Sequence, residues 1–195
     1  VSFPRDYFER ELAVINNEDI KEFTASMLEL APQYFFTHAS SSTGKYHPEQ
    51  SQGHEGLLRH TRAVVYLAIE LCASEDITGD DRDAIISASL LHDLCKYGIP
   101  GNKHTVSNHD YIGAYFIHAQ AKKLNMQDTP KIKEILSAVA NHYGRWTKRD
   151  QGCPQGIKKY PEEFTAIDRI VHQADFISSR RPLRFEFLDE PNFIG

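Results

Sequence analysis

The chain has 195 residues, 41% hydrophobic and 25% charged, with a formal net charge of −5. That length and balance suit one globular domain with a sizeable core. The negative charge disfavours indiscriminate binding to a nucleic-acid backbone, and no apolar run approaches the roughly 18 residues of a membrane span.

Residues 18–31 carry Ile20, Phe23, Met27, Leu28 and Leu30 at helical spacing, and Pro32 closes the segment. Residues 37–53, THASSSTGKYHPEQSQG, are polar and rich in turn formers, which predicts a loop. The clearest helix spans 55–74, where Leu57, Leu58, Thr61, Val64, Val65, Ala68 and Leu71 mark a buried stripe. ITGDD at 77–81 predicts a turn and an acidic helix start, the helix running to about Lys96 before Gly98, Pro100 and Gly101 break it. Ser107 and Asp110 fit a capping box for a helix to about Leu124. Thr129-Pro130 opens another, to about Asn141. A loop rich in Gly, Lys and Arg fills 144–160, Pro161-Glu162-Glu163 opens a last helix to about Ser179, and 182–195 reads as an irregular tail. Strand signals are weak throughout, so the expectation is an all-α domain of six or seven helices.

Cys72, Cys95 and Cys153 are few, odd in number and widely spaced, which predicts neither a disulfide framework nor a zinc ribbon and favours a reducing, cytoplasmic setting. The opening VSFPRDYFERE lacks the basic-then-apolar layout of a signal peptide. Charge is uneven. Residues 145–184 hold nine Lys or Arg against five Asp or Glu, a local +4 against −9 for the remainder. An anionic ligand or a single-stranded nucleic-acid end can be met there.

The chemistry concentrates in SASLLHDLCKYG, residues 87–98, where His92, Asp93 and Lys96 interrupt an apolar segment. A buried carboxylate needs a cation or loses its charge, and a divalent ion accepts both carboxylate oxygen and neutral imidazole nitrogen. Alone, His92 and Asp93 read better as a hydrogen-bonded core pair than as metal ligands. The other residues change the weighting. His60 lies on the apolar face of its helix, His109 in the first turn of its own, His142 at a helix end, and Asp175 among Ile170, Val171, Ala174, Phe176 and Ile177. Five successive helices thus offer imidazole or carboxylate, the convergence by which bundle cores build metal sites. Four His and two Asp suit two ions of five or six coordination rather than tetrahedral structural zinc. His104 competes with His109, His172 with Asp175, and His47 and His54, which precede the first of these helices, are candidates to border the site.

The ordered set His60 in GLLRHT, His92-Asp93 in LLHDLCK, His109 in NHDYIGA, His142 in ANHYG and Asp175 in HQADFI resembles the HD-domain superfamily of metal-dependent phosphohydrolases, over about residues 45–180. GHEGLLRHT is more loosely similar to HD nucleases and related phosphodiesterases, and no GYP motif follows. The resemblance implies a bundle of about five core helices around one or two divalent ions (Mn, Fe, Mg, Co or Ni), with peripheral N-terminal helices. Residues 1–44 are then an extension packed on the core, 45–181 the HD domain and 182–195 the tail. His60, His92, Asp93 and Asp175 match the one-metal core, and His109 and His142 the added ligands of two-metal members. The implied reaction is hydrolysis of a phosphate ester, in a nucleotide or short oligonucleotide, by metal-activated water, with Asp93 bridging the ions. Lys96 then holds a phosphoryl oxygen or protonates the leaving group, and Arg145 forks onto phosphate, with Tyr143 or Trp146 placed to stack on a base. Some HD-fold proteins with a similar ligand set bind two irons and oxidise small polyols or phosphonates, so an oxygenase is the alternative from another class. A metal-bound, non-catalytic nucleotide-binding module is the third.

Overall fold

A computed structural model of the chain describes residues 4–126, 129–146 and 164–184. Among them are seven α-helices and no strand: α1 (Glu9–Ala13), α2 (Glu18–Glu29), α3 (Gly56–Ser74), α4 (Gly79–Leu91), α5 (His109–Lys123), α6 (Pro130–Asn141) and α7 (Ala166–Ser178). The all-α expectation holds.

The fold is organised around α4. Every residue from Asp83 to Leu91 is buried, so this helix has no solvent face over its second half. Its small residues, Ala84, Ser87, Ala88 and Ser89, leave room for neighbours on all sides. It packs on α3, α6, α7 and α2, while α5 closes against α6 and α3 against α7. Five helices, α3 to α7, therefore surround one apolar core. Phe8, Leu12, Ile15 and the buried face of α2 belong to the same cluster.

Local signals explain most of the boundaries. Asn17 caps α2 by accepting from the backbone N–H of Asp19 and Ile20. Thr129 caps α6 by accepting from Ile132, with Pro130 at the first helical position. Three boundaries differ from the sequence reading. The helix read as running to Lys96 ends at Leu91. Beyond it the chain tightens into turns, with Lys96 N–H donating to Asp93 O and Gly98 N–H to Cys95 O. Next, α5 starts at His109 behind Asn108, without a side-chain cap bond, so the box between Ser107 and Asp110 does not form. The preceding turn is held instead by His109 Nδ1–H donating to Val106 O at 2.7 Å. Finally, α7 starts at Ala166, where Thr165 and Asp168 make a reciprocal capping box. The start read at Pro161-Glu162-Glu163, most of the loop at 144–160 with Cys153, and the tail beyond 184 lie outside the described residues. No helix among the described residues is long and apolar enough to cross a membrane.

One buried carboxylate fastens the N-terminal segment to the central helix. Asp83 on α4 accepts from the backbone N–H of Asn16 and Asn17 at 2.9 and 2.7 Å, and Arg82 donates to Val14 O. Asp83→Ala strands two donors that part-buried backbone cannot pair elsewhere, at a cost of about 1–3 kcal/mol. Chemical denaturation is expected to show that loss, and Asp83→Asn, which keeps an accepting oxygen, a smaller one.

Candidate metal centre

The tightening of the chain after Leu91 decides where the polar residues point. In an i to i+3 turn, side chains three apart eclipse. Lys96 therefore stacks on Asp93. Its Nζ donates to both Asp93 carboxylate oxygens, at 2.8 and 3.0 Å, and lies 3.4 Å from His109 Nε2.

Around Asp93 the four other helices deliver the remaining groups. Oδ2 faces His60 Nε2 at 3.5 Å and His92 Nε2 at 3.3 Å. Oδ1 faces His109 Nε2 at 3.2 Å and His142 Nε2 at 3.4 Å. Asp175 Oδ1 lies 3.1 Å from His60 Nε2 and 3.8 Å from His92 Nε2, on the Oδ2 side. The single carboxylate of Asp93 thus stands between two pairs of imidazoles. His60, His92, Asp93 and His142 are fully buried, and His109 and Asp175 nearly so.

The imidazoles are oriented from behind. His92, His109 and His142 each use Nδ1 against the carbonyl three residues earlier, Ser89, Val106 and Val139, all at 2.7 Å. A carbonyl only accepts, so Nδ1 carries the hydrogen and the neutral ring turns its Nε2 lone pair inward. His60 Nδ1 lies 3.3 Å from Ser178 Oγ.

Four lone pairs and two carboxylates facing one another need positive charge between them. His109 and His142 bring their Nε2 atoms within 3.2 Å. His60 Nε2 and His92 Nε2 are buried with no hydrogen-bond partner. Those orphaned donors fit a metal. Two atoms bound to one ion at about 2.1 Å and at right angles lie about 3.0 Å apart, close to the separations found here. The ligand atoms of His60, His92 and Asp93 fall within 4.8 Å of one another, as do those of Asp93, His109 and His142.

The HD domain family matches residues 57–179. This chain belongs to the HD-domain family. The match spans α3 to α7, the five helices that supply the cluster. A curated relative, the dihydroneopterin 2',3'-cyclic phosphate phosphodiesterase of Methanocaldococcus jannaschii, is 29% identical over 130 residues, 64% of this chain and 47% of the relative. The chain therefore spans about half the length of that relative. No solved structure gives a significant match.

Within this HD domain, protonation follows the same geometry. Burial would raise Asp93, but Lys96, His92 and the imidazoles of His109 and His142 offset it and hold its carboxyl well below the usual range. Asp175 is likewise held low, burial being outweighed by His60, His92 and Lys96. Burial pushes His92 and His109 below the ordinary imidazole range, Lys96 adding to the effect on His109. Burial acts the same way on His60 and His142, but the carboxylates beside them win and raise both. His60 and His142 are thus the rings that retain protons to higher pH.

The other sequence candidates separate clearly. His104 is exposed, while His109 is in the cluster. His172 joins neither ligand group. Its Nδ1–H donates to His142 O at 2.7 Å, bracing the turn after that ligand. Gly144, at φ +59°, passes so close that a Cβ would lie 2.3 Å from the His172 ring. His54 is exposed beside Glu55. Arg145 is exposed, stacks over Trp146 at 4.5 Å, and does not line the cavity that opens onto the cluster. That cavity, about 500 Å³, is lined by Arg180 instead, with Lys96, Tyr143, Trp146, Phe176 and His47 among its walls. The sequence offers Arg180, with Arg181 and Arg184, as a second anion candidate and His47 as a loop histidine bordering the site, and the structure puts Arg180 and His47 on the cavity wall. Arg180 lies one turn beyond Phe176, with its guanidinium over that ring at 4.2 Å.

Metal binding is expected to displace protons, because His60 and His142 must present lone pairs to bind an ion. Apparent affinity should rise with pH through the neutral range. Calorimetric titration of Mn²⁺ in buffers of different ionisation enthalpy is expected to show net proton release near pH 7, reduced in His142→Ala.

Proposed function

We propose that this HD domain hydrolyses a phosphate ester with water activated by two divalent ions that share Asp93. The observation that carries the reading is the division of the Asp93 carboxylate: one oxygen faces His60 and His92 with Asp175 nearby, the other faces His109 and His142. When bound, divalent ions supply Lewis acidity and a water of lowered pKa.

The chain's own groups do the rest. Asp93 and Asp175 provide the negative charge that retains cations in an otherwise apolar bundle. Lys96 is raised above the ordinary lysine value: burial would lower it, but Asp93 and Asp175 outweigh that. It stays an ammonium at the floor of the cavity, able to donate to a phosphoryl oxygen or to the departing oxygen. Tyr143, Trp146 and Phe176 give the cavity an aromatic wall. Trp146 and Phe176 lie nearly parallel, 12° between planes, and Arg180 covers Phe176. Such a wall suits a planar ring attached to the phosphate, and Arg180 adds positive charge at the mouth. A nucleotide or the end of a short oligonucleotide has that form. The substrate in the relative's name, dihydroneopterin 2',3'-cyclic phosphate, is likewise a phosphate ester. A cavity of about 500 Å³ is within the range of small-molecule sites.

Asp93→Ala and His92→Ala are each expected to lower hydrolysis of phosphodiester and nucleotide substrates by at least 10³-fold while helical content is retained. A substrate panel run with Mn, Mg, Fe, Co and Ni measures this. His142→Ala is expected to lose one of two metal equivalents, read by elemental analysis. Iron-loaded protein that consumes dioxygen and hydrolyses no ester in the panel would contradict the reading.

A further inference from the structure

His47 stands beside the centre, and the ligand scheme leaves it unused. Both its ring nitrogens are buried, and neither has a hydrogen-bond partner among the described residues. An imidazole offers one N–H and one lone pair, and leaving a buried polar group unmatched costs about 1–3 kcal/mol. The ring packs edge-on against His60, centroids 5.0 Å apart and planes at 76°, and it lines the same cavity as Lys96 and His142. It joins neither group of ligand atoms.

This placement is built, not incidental. The loop that carries His47 is gathered onto α3 by one arginine. Arg59 Nε donates to Gln50 O at 2.6 Å, and its Nη2 to Gln52 O and His54 O at 3.0 and 2.8 Å. Ser40 donates to Ser51 O through both its backbone N–H and Oγ. Gly56 seats the loop: a Cβ there would lie 2.3 Å from Ser51 O. Glu55 just before it takes a left-handed turn at φ 58°. The GHEG stretch is thus the hinge that folds a polar loop back over the first ligand helix. Across the cavity, Ser42 Oγ meets Thr105 Oγ1 at 3.2 Å, tying this loop to the one before α5. A polar loop held this firmly presents an unmatched imidazole to the cavity beside His60.

We propose that His47 is a substrate-binding residue whose ring N–H donates to a phosphoryl oxygen of the ester held at the centre. It deepens the phosphohydrolase reading and rests on it. His47 binds the oxyanion directly, and its absence from the ligand groups leaves metal retention to the other six residues.

The test uses the Mn²⁺-loaded protein and inorganic phosphate as the probe, titrated by calorimetry. His47→Phe is expected to keep the wild-type manganese content and to weaken phosphate binding on the order of tenfold, the loss of one hydrogen bond to a charged group. His47→Gln, which keeps an N–H donor, is expected to recover part of that loss. His47→Ala is expected to be rescued by added imidazole, so a misfolded Phe variant does not remove the test. Unchanged phosphate affinity in both His47→Phe and His47→Ala would overturn the proposal. So would a loss of manganese from folded variants, which would make His47 a metal ligand. The readout is phosphate binding without turnover, so it stands even if no ester is hydrolysed.

Discussion

One buried carboxylate sets the terms for this molecule. Asp93 has no exposure, and Lys96 and four imidazoles stand within 3.5 Å of its two oxygens. A charge in that position is tolerable only with cations arranged around it. Each helix from α3 to α7 contributes a group to that arrangement, so the packing of the bundle and the assembly of the centre are the same event. The apolar faces bring the helices together, and the polar residues at their ends meet where the faces leave a gap.

That coupling explains why the backbone is irregular where it is. The turn after Leu91 places Lys96 on Asp93, and the carbonyls at Ser89, Val106 and Val139 fix three rings with their Nε2 atoms inward. The order on the inside depends on this second layer as much as on the ligands themselves.

Much of this was legible in the sequence. Apolar spacing located α2 and α3, and Thr129-Pro130 located α6, because those signals are local. His60, His92, His109, His142 and Asp175, which gather around Asp93, were legible with it as an ordered set through the family resemblance, with His60, His92, Asp93 and Asp175 standing out as polar residues in apolar segments. The end of α4 was not legible, because nothing in LLHDLCK breaks a helix; Gly98 is the first residue that does, and tertiary packing stops the helix earlier. The capping box at Ser107 did not form, because α5 starts one residue later, behind Asn108. The start of α7 was not legible at Thr165, which forms a capping box with Asp168. Distances across the fold were least accessible: Arg145 and Arg180 look alike as basic residues near aromatics, and only the folded chain places Arg180 at the cavity and Arg145 outside it. His47 sits in a polar loop with no periodicity, and its position depends on carbonyls collected by Arg59.

The central claim is that Asp93 is shared between two ions. Anomalous diffraction from crystals of the Mn²⁺-loaded protein tests it most directly. Two peaks are predicted, one bounded by His60, His92 and Asp175 and the other by His109 and His142, with the Asp93 carboxylate between them. A single peak, or peaks away from Asp93, would contradict it.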